Sequence, residues 1–377
     1  MKKIAIVTTG HPPFDDRIYW KFAKTLNQKY KVAIFCSTQE INTTLSNITI
    51  LGFNSNLISK TKKLKKLNDY LYKFIPDIVI CSEVSAILPA HRYKKRTNNK
   101  CKIISDITEW YPENVTSKLK GLKKIVTYFK LSFANIYFSN LCDALIIGEI
   151  RKKKRYGLIC PFKLKKIIGY FPVLKYFYYT SPNKYLNEFT IGYAGVINFN
   201  RGILILLDVF STLQKKYPDK NIKLKIAGKF EYKDEEKIFR KKLINKKIQN
   251  VEFLSWTDYD KICDNLKQMD VCFDLRQLTF IYKNSLPIKL FEYLAAGKPI
   301  IYSAINCLKK NIKIDDFGFL VDPNNLNEIV EKTEKYLLDK KLLVSHSKNA
   351  REFIEAGNNW ENESKKLVDF VEMILNN

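Results

Sequence analysis

Short apolar runs alternate with amphipathic stretches along almost the whole chain. In the first part, the runs "KIAIVTT", "KVAIFCS", "DIVICSE" and "DALIIGE" are separated by helical patterns such as "DDRIYWKFAKTL". Apolar runs of this length are typical of buried parallel strands, and the amphipathic segments between them are typical of helices that cover a sheet. The pattern therefore predicts a doubly wound α/β architecture.

The same pattern starts again after the polar, turn-rich segment "YYTSPNKYLNE". Runs such as "FTIGYAG", "IKLKIAG" and "DVCFDL" again alternate with helical patterns. Because 377 residues are too many for one typical core, we expect two domains. The first covers residues 1–182, the second covers residues 183–357, and an amphipathic helix follows in residues 358–377.

The loops after the strands are the places where such sheets bind ligands. The loop after the first strand reads "TTGHPPFDDR", and its counterpart in the second half reads "YAGVINFNRG". Neither contains the G-x-G-x-x-G of dinucleotide-binding proteins, and the chain has no G-x-x-x-x-G-K-[ST] either. The sequence therefore argues against a classical dehydrogenase and against a P-loop ATPase.

The segment "SLPIKLFEYLAAGKPIIYSA" predicts a helix that runs into a buried strand. Ser285 is suited to cap the helix N-terminus, and Pro287 suits its first turn. Lys289 and Glu292, three residues apart, share a face near the helix start. They form either a solvated ion pair or a site where Lys289 and the helix N-terminus bind a diphosphate and Glu292 binds ribose hydroxyls.

Arg201 stands where the helical pattern of the second half begins, shortly after the strand "TIGYA" and Gly195. The helix dipole disfavours a cation at a helix N-terminus. An anionic ligand would explain the position of Arg201, and an exposed arginine that reaches water is an equal alternative.

The ordered set of segments resembles family 4 of the retaining glycosyltransferases. The resemblance rests on "YAGVINFNRG", "IKLKIAGK", "VEFLSW" and "LPIKLFEYLAAGKPII", preceded by "HPPFDDRIYWKFAKTL" and "SDITEWYPENV", and it covers essentially the whole chain. It implies the GT-B fold, in which two Rossmann-like doubly wound domains face a cleft. It also implies that the C-terminal helix crosses back to the first domain.

The resemblance further implies a metal-independent glycosyltransferase whose co-substrate is a nucleotide-diphosphate sugar, with no other cofactor. The second domain would bind this donor, and the first domain would bind the acceptor. By the family motifs, Arg201 and Lys289 bind the diphosphate and act in catalysis, and Glu292 binds the ribose. The implied donor-binding residues together are Gly10, Gly195, Arg201, Asn284, Lys289 and Glu292. Candidate acceptor contacts are His11, Asp16 and Glu109, although Asp16 is equally suited to cap the following helix.

Three positions depart from the family pattern. Asn284 stands where the first glutamate of the E-x7-E motif is expected, and Val196 stands where many members have an arginine. Thr108 stands where a histidine is frequent. The nucleotide end of the donor site is therefore intact, and the sugar end is altered.

These departures leave three functions in competition. The leading hypothesis is a retaining glycosyltransferase that acts on a glycan or a lipid-linked acceptor in the synthesis of cell-surface polysaccharide. A catalytically weak GT-B subunit that binds another glycosyltransferase is the alternative. A nucleic-acid-binding protein is the third, but the basic first half contains no recognisable DNA or RNA module.

The positive charge is concentrated in the first half of the chain. The net charge is +27, and residues 1–180 contain 33 lysines and arginines against 11 aspartates and glutamates. Residues 117–140 combine lysines with aromatic and aliphatic residues, which suggests contact with an anionic membrane. The alternative is a helix whose apolar side covers the sheet.

Sequence features that report on location and on metal binding suggest a cytoplasmic protein without a metal site. We see no signal peptide and no apolar run long enough to span a bilayer, so we expect the protein in the cytoplasm. Peripheral attachment to the inner face of the plasma membrane is the alternative. The three histidines lack ligand spacing, and the eight cysteines form no C-x-x-C pair. We therefore expect buried thiols and no metal site.

Overall fold

The chain forms two compact units. The computed structural model describes residues 1–56, 58–98, 100–183 and 188–376. The first unit contains residues 1–170 and 360–377, and the second contains residues 171–359.

The boundary between the units precedes the turn-rich segment that predicted it. The prediction put it after residue 182, whereas the structure divides the chain after Tyr170. The stretch in between is apolar and packs on the second unit, where the backbone N–H of Val173 donates to the hydroxyl of Tyr259 at 3.1 Å. Residues 184–187 of the predicted linker lie outside the described residues. The boundary therefore follows the packing of the apolar stretch and not the polar segment of the sequence.

Among the described residues, an eight-stranded sheet forms the centre of the first unit. Its strands are β1 (Lys3–Thr8), β2 (Lys31–Cys36), β3 (Ile41–Leu45), β4 (Ile48–Gly52), β5 (Ile78–Cys81), β6 (Lys102–Ile107), β7 (Ala144–Ile147) and β8 (Leu164–Ile167). They lie in the order β3-β4-β2-β1-β5-β6-β7-β8. Only β3 is antiparallel to its neighbour among these strands. The chain reverses direction across the sheet between β1 and β5, which opens a crevice at the carboxyl ends of those two strands.

Helices cover the sheet of the first unit. A π-helical segment, Asp16–Ala23, continues as α1 (Lys24–Leu26), and the following helices are α2 (Lys60–Phe74), α3 (Val84–Arg96), α4 (Glu113–Thr116), α5 (Gly121–Asn140) and α6 (Ile150–Ile159). The apolar faces of α2 and α3 pack against a core in which Leu67, Leu71 and Ile87 are fully buried. This packing is the doubly wound arrangement that the alternating pattern predicts.

The second unit has a six-stranded sheet among the described residues. Its strands are β9 (Glu188–Ala194), β10 (Asn221–Ala227), β11 (Val251–Leu254), β12 (Val271–Asp274), β13 (Ile300–Ser303) and β14 (Gly318–Val321). They are parallel, in the order β11-β10-β9-β12-β13-β14. The reversal point, and therefore the crevice, lies between β9 and β12.

The helices of the second unit follow its strands in sequence. They are α7 (Ile203–Lys216), α8 (Lys233–Asn245), α9 (Ile262–Leu266), α10 (Phe280–Asn284), α11 (Ile288–Ala295), α12 (Asn306–Asn311), α13 (Leu326–Leu338) and α14 (Lys340–Glu355). Short 3-10 turns occupy Leu174–Tyr176, Phe199–Arg201, Tyr259–Lys261 and Ile314–Asp316.

The last helix, α15 (Trp360–Asn376), belongs to the first unit. The indole of Trp360 stacks on the ring of Phe22 at 5.8 Å, and its Nε1 donates to the hydroxyl of Thr25 at 2.9 Å. The predicted α/β class with two Rossmann-like doubly wound domains is therefore confirmed, and so is the return of the C-terminal helix to the first domain.

Candidate functional site

The crevice of the second unit opens beside a glycine at the end of β9. Gly195 has φ of +122°, a conformation that favours glycine. A Cβ at this position would lie 2.1 Å from Cε of Lys289, so the lysine side chain crosses directly over the backbone of this loop. The Nζ of Lys289 donates to the hydroxyl of Tyr193 at 2.8 Å. The loop and the lysine therefore form one surface.

Helix α11 carries Lys289 and is fixed to the end of β9. The hydroxyl of Tyr293 accepts from the backbone N–H of Ala194 and donates to its carbonyl, both at 2.9 Å. The helix starts at Ile288, so the predicted cap at Ser285 is wrong. Ser285 ends α10 instead, where its backbone N–H donates to the carbonyl of Ile281 at 2.9 Å.

Two arginines extend the positive surface. Arg201 ends the 3-10 turn that precedes α7, as the sequence predicted for a cation at a helix start. Its Nε is buried and has no hydrogen-bond partner within the described part of the chain. Arg276, just after β12, is 5% exposed and forms an ion pair with Asp274, with its Nε 3.0 Å from Oδ1.

The cluster combines three basic side chains with two carboxylates. Arg201, Arg276 and Lys289 face the carboxylate of Asp274, and the buried Glu292 follows one turn along α11. Burial holds the pKa of Lys289 well below its ordinary range, and the charges of Arg201 and Arg276 lower it further. Burial would raise the pKa of Asp274, but the ion pair with Arg276 outweighs it and keeps that pKa low. A bound anion would favour the charged form of Lys289 and offset the repulsion between the basic side chains.

The structure also gives the surroundings of the other donor-site positions considered in the sequence. The side-chain amide of Asn284, at the end of α10, donates to the carbonyl of Phe280 at 2.8 Å. The carbonyl of Val196 accepts a hydrogen bond from Tyr193. Gly10 lies in the first unit.

Arg276 is a basic residue of this cluster that was not predicted from the sequence. The segment "DLR" after a strand resembles an ordinary ion pair on the protein surface, so it gave no sign of a buried site.

The crevice of the first unit is organised by Glu83, which follows β5 and was not predicted from the sequence. Its carboxylate accepts hydrogen bonds from the hydroxyl of Thr8 at 2.8 Å and from the backbone N–H groups of Thr9, Gly10 and His11 at 2.8, 3.0 and 3.2 Å. Glu83 therefore holds the loop after β1 in one conformation.

His11 lies between carboxylates in this loop. Its Nδ1 is 3.3 Å from Asp15, and its Nε2 is 3.7 Å from Glu83. The hydrogen bond with Asp15 raises the pKa of His11 to about 9 in spite of burial, and the charges of Glu83 and Glu109 contribute. The structure therefore brings two predicted acceptor residues, His11 and Glu109, into one electrostatic environment, and the imidazole is protonated at neutral pH.

Asp16, the third predicted acceptor residue, is paired with a lysine. The side chain that caps the first helix is Asp15, which accepts from the backbone N–H of Arg17 at 2.9 Å. The predicted cap at Asp16 is therefore wrong. Asp16 instead accepts a hydrogen bond from the buried ammonium of Lys21 at 2.7 Å.

The cysteines are buried thiols, and no metal site is seen among the described residues. All eight cysteines are buried, as predicted from the apolar runs that contain them. Across the described ranges, no group of three or more His, Cys, Asp or Glu side chains is arranged to hold a metal ion.

The fold of the chain is the GT-B fold seen in solved glycosyltransferases. The structure resembles sucrose-phosphate synthase of Thermosynechococcus elongatus with a TM-score of 0.76 and 15% identity, over 99% of both chains. It also resembles HepE of Anabaena in complex with UDP-glucose, with a TM-score of 0.72 and 11% identity, over 99% of this chain and 100% of HepE. Identities this low show the fold alone.

The match to a family model lies in the second unit. Residues 179–353 match the family model of the glycosyl transferases group 1. An uncharacterized glycosyltransferase of Haemophilus influenzae is 30% identical over 174 residues, which are 44% of each of the two chains. The chain spans less than half the length of the curated relatives it matches.

Proposed function

We propose that the protein is a glycosyltransferase that moves a sugar from a nucleotide-diphosphate sugar to a glycan or lipid-linked acceptor in the synthesis of cell-surface polysaccharide. The observation that carries this proposal is the cationic cluster at the reversal point of the second sheet. There the Nε of Arg201 is buried without a partner among the described residues, beside the Gly195 loop and Lys289. A diphosphate supplies the acceptor that this Nε lacks and a negative charge that favours the ammonium form of Lys289.

The same cations would promote departure of the nucleotide. Cleavage of the glycosidic bond passes through an oxocarbenium-like state while negative charge builds up on the diphosphate. Arg201 and Lys289 would contact the phosphate on which that charge develops, and they would therefore stabilise the transition state more than the ground state. Glu292, buried one turn from Lys289, accepts hydrogen bonds from the ribose hydroxyls.

The acceptor side suits a retaining reaction. His11 is protonated near neutral pH, so it donates hydrogen bonds to substrate and does not act as a general base. The acceptor hydroxyl then attacks from the side on which the diphosphate leaves and passes its proton to the departing phosphate oxygen. Glu109 completes the acceptor contacts. We propose no resident metal, because the cations of the protein neutralise the leaving group.

The test is sugar transfer by the purified protein. A panel of nucleotide sugars is incubated with and without glycan and lipid-linked acceptors, and the released nucleoside diphosphate is measured. We expect release with one donor, an unchanged anomeric configuration in the product by NMR, and no effect of a chelator. Inversion at the anomeric carbon, or activity abolished by the chelator, would overturn the corresponding part of the proposal.

The amide at position 284 favours a second candidate, a catalytically weak GT-B subunit. The Asn284 side chain donates to the carbonyl of Phe280, and an amide cannot give the carboxylate contact that the family pattern implies for the donor sugar. Such a subunit would bind the nucleoside diphosphate but neither hydrolyse nor transfer the sugar. Restoration of activity by Asn284→Glu would identify this substitution as the cause.

A further inference from the structure

Helix α5 of the first unit exposes a continuous apolar stripe. Leu122, Phe129, Phe133 and Tyr137 are 75%, 58%, 71% and 62% exposed. Their spacing of four or seven residues places them on one side of the helix. A contiguous apolar surface of this kind marks an interaction site.

The stripe is not the side by which the helix packs on its own domain. On the opposite side, the buried Asn135 accepts hydrogen bonds from the hydroxyls of Tyr156 at 3.2 Å and Ser139 at 3.4 Å. Phe138 packs against the core of the first unit on the same side. The alternative in which the apolar residues of this segment cover the sheet is therefore wrong for the exposed stripe.

The apolar surface continues beyond the carboxyl end of α5. The side-chain amide of Asn140 donates to the carbonyl of Ile159 at 2.9 Å and thereby joins the end of α5 to the end of α6. Beside this junction Leu158 and Phe162 are 84% and 97% exposed. We call the stripe on α5, together with these two exposed side chains at and just after the end of α6, the α5 face.

Exposed lysines accompany the α5 face. Lys120, Lys123, Lys124 and Lys130 are exposed in and just before α5, and α5 contains no aspartate or glutamate. This charge distribution complements a polyanionic surface. It opposes symmetric contact with a second copy of the chain, which would bring the same lysines together.

We propose that the α5 face docks on an anionic lipid surface, with its aromatic and aliphatic side chains at the headgroup boundary and its lysines on lipid phosphates. Interfacial attachment needs both apolar burial and positive charge, and the α5 face supplies both. No helix within the described ranges is long and apolar enough to cross a membrane. The proposal does not depend on the donor site, because the α5 face lies in the first unit and docking requires no nucleotide.

Vesicle flotation of the full chain tests the proposal. We expect binding to phosphatidylcholine vesicles that contain phosphatidylglycerol, no binding to phosphatidylcholine alone, and weaker binding in high salt. Changing Lys120, Lys123 and Lys124 to glutamate should weaken binding by about a hundredfold or more. Phe129→Ser and Phe133→Ser should each weaken it about tenfold with the lysines unchanged.

A matched control separates docking from bulk charge. Lys233, Lys241 and Lys247 are exposed in the second unit, and their triple change to glutamate alters the net charge equally but should leave binding unchanged. Equal loss of binding in this control, or no binding of the wild type to anionic vesicles at low salt, would overturn the proposal. So would conversion of a dimer to a monomer by Phe129→Ser and Phe133→Ser, measured by light scattering, since a second copy would then cover the face. Unchanged melting temperatures establish that each variant is folded.

Discussion

Lys289 and Arg201 are the residues on which the proposed chemistry depends most. Removal of either cation should lower turnover about a hundredfold or more, because a buried charge-assisted contact to the leaving group is worth on the order of 2 to 4 kcal/mol in the transition state. The measurement is steady-state release of the nucleoside diphosphate by Arg201→Ala and Lys289→Ala. Arg240→Ala and Lys241→Ala, exposed positions on α8, are controls that should keep full turnover. Near-normal turnover in Lys289→Ala would contradict its assignment.

Glu292 should act as a hydrogen-bond acceptor for the ribose and transfer no proton. Glu292→Gln keeps an acceptor oxygen at the same place, so it should bind the nucleotide more tightly than Glu292→Ala, which we expect to lose about tenfold in affinity. Isothermal titration calorimetry of both variants measures the difference. Equal affinities in the two variants would remove Glu292 from the ribose site.

The lowered pKa of Lys289 predicts a pH dependence of binding. In the free protein burial and neighbouring cations favour the neutral amine, and a bound diphosphate favours the ammonium, so the pKa rises on binding. Binding should then take up protons, and affinity should fall as pH rises through the pKa of the free protein. Calorimetry in buffers of different ionisation enthalpy measures this uptake, and Lys289→Met should abolish it. Net proton release by the wild type would contradict the account.

The residues of the site could be predicted only where a local pattern reveals them. Arg201 and Lys289 stand at helix starts within recognisable segments, so the sequence indicated both. Glu83 lies 73 residues from Gly10, and only the adjacency of β1 and β5 brings the two together. Long-range pairing of this kind has no signal in a single sequence.

At the scale of elements, strands and most helices followed from the apolar pattern, while helix ends did not. Two adjacent aspartates, Asp15 and Asp16, stand at the start of one helix, and either could cap it by sequence alone. In the structure Asp15 is the cap. In the same way, either Ser285 or Pro287 could precede the first residue of α11. Ser285 ends α10 in the structure, so Pro287 is the residue before α11. Capping depends on where the neighbouring turn ends, which is a property of packing as well as of residue type.

Glu83 is expected to stabilise the loop after β1 as an element. Glu83→Ala removes the acceptor for the backbone N–H groups of Thr9, Gly10 and His11, and should lower the free energy of unfolding by about 1 kcal/mol or more. Chemical denaturation measures this loss, and the exposed Glu40→Ala is the matched control that should change little. Transfer to acceptor should fall more than nucleotide binding, which depends on the second unit. An equal fall in both would argue against a separate role for this loop.

At the scale of the whole molecule, two doubly wound units followed from the repeated pattern, but the position of the boundary did not. The apolar stretch after Tyr170 carries no mark that assigns it to the second unit, since either core would accept apolar side chains. The outward stripe of α5 was likewise undecided, because a helix that is apolar on two sides does not reveal which side is covered. Only the tertiary packing shows where the units divide and which side of α5 is exposed.

The central claim is that the cationic cluster of the second unit is a nucleoside-diphosphate site. Isothermal titration calorimetry with matched nucleosides, nucleoside monophosphates and nucleoside diphosphates tests it most directly. We predict that for one base the diphosphate binds at least about tenfold more tightly than the monophosphate, and that Arg201→Ala and Lys289→Ala remove this difference, because a second phosphate adds charge-assisted contacts to those side chains. Equal affinities for the monophosphate and diphosphate of every base, or no binding of any nucleotide, would contradict it.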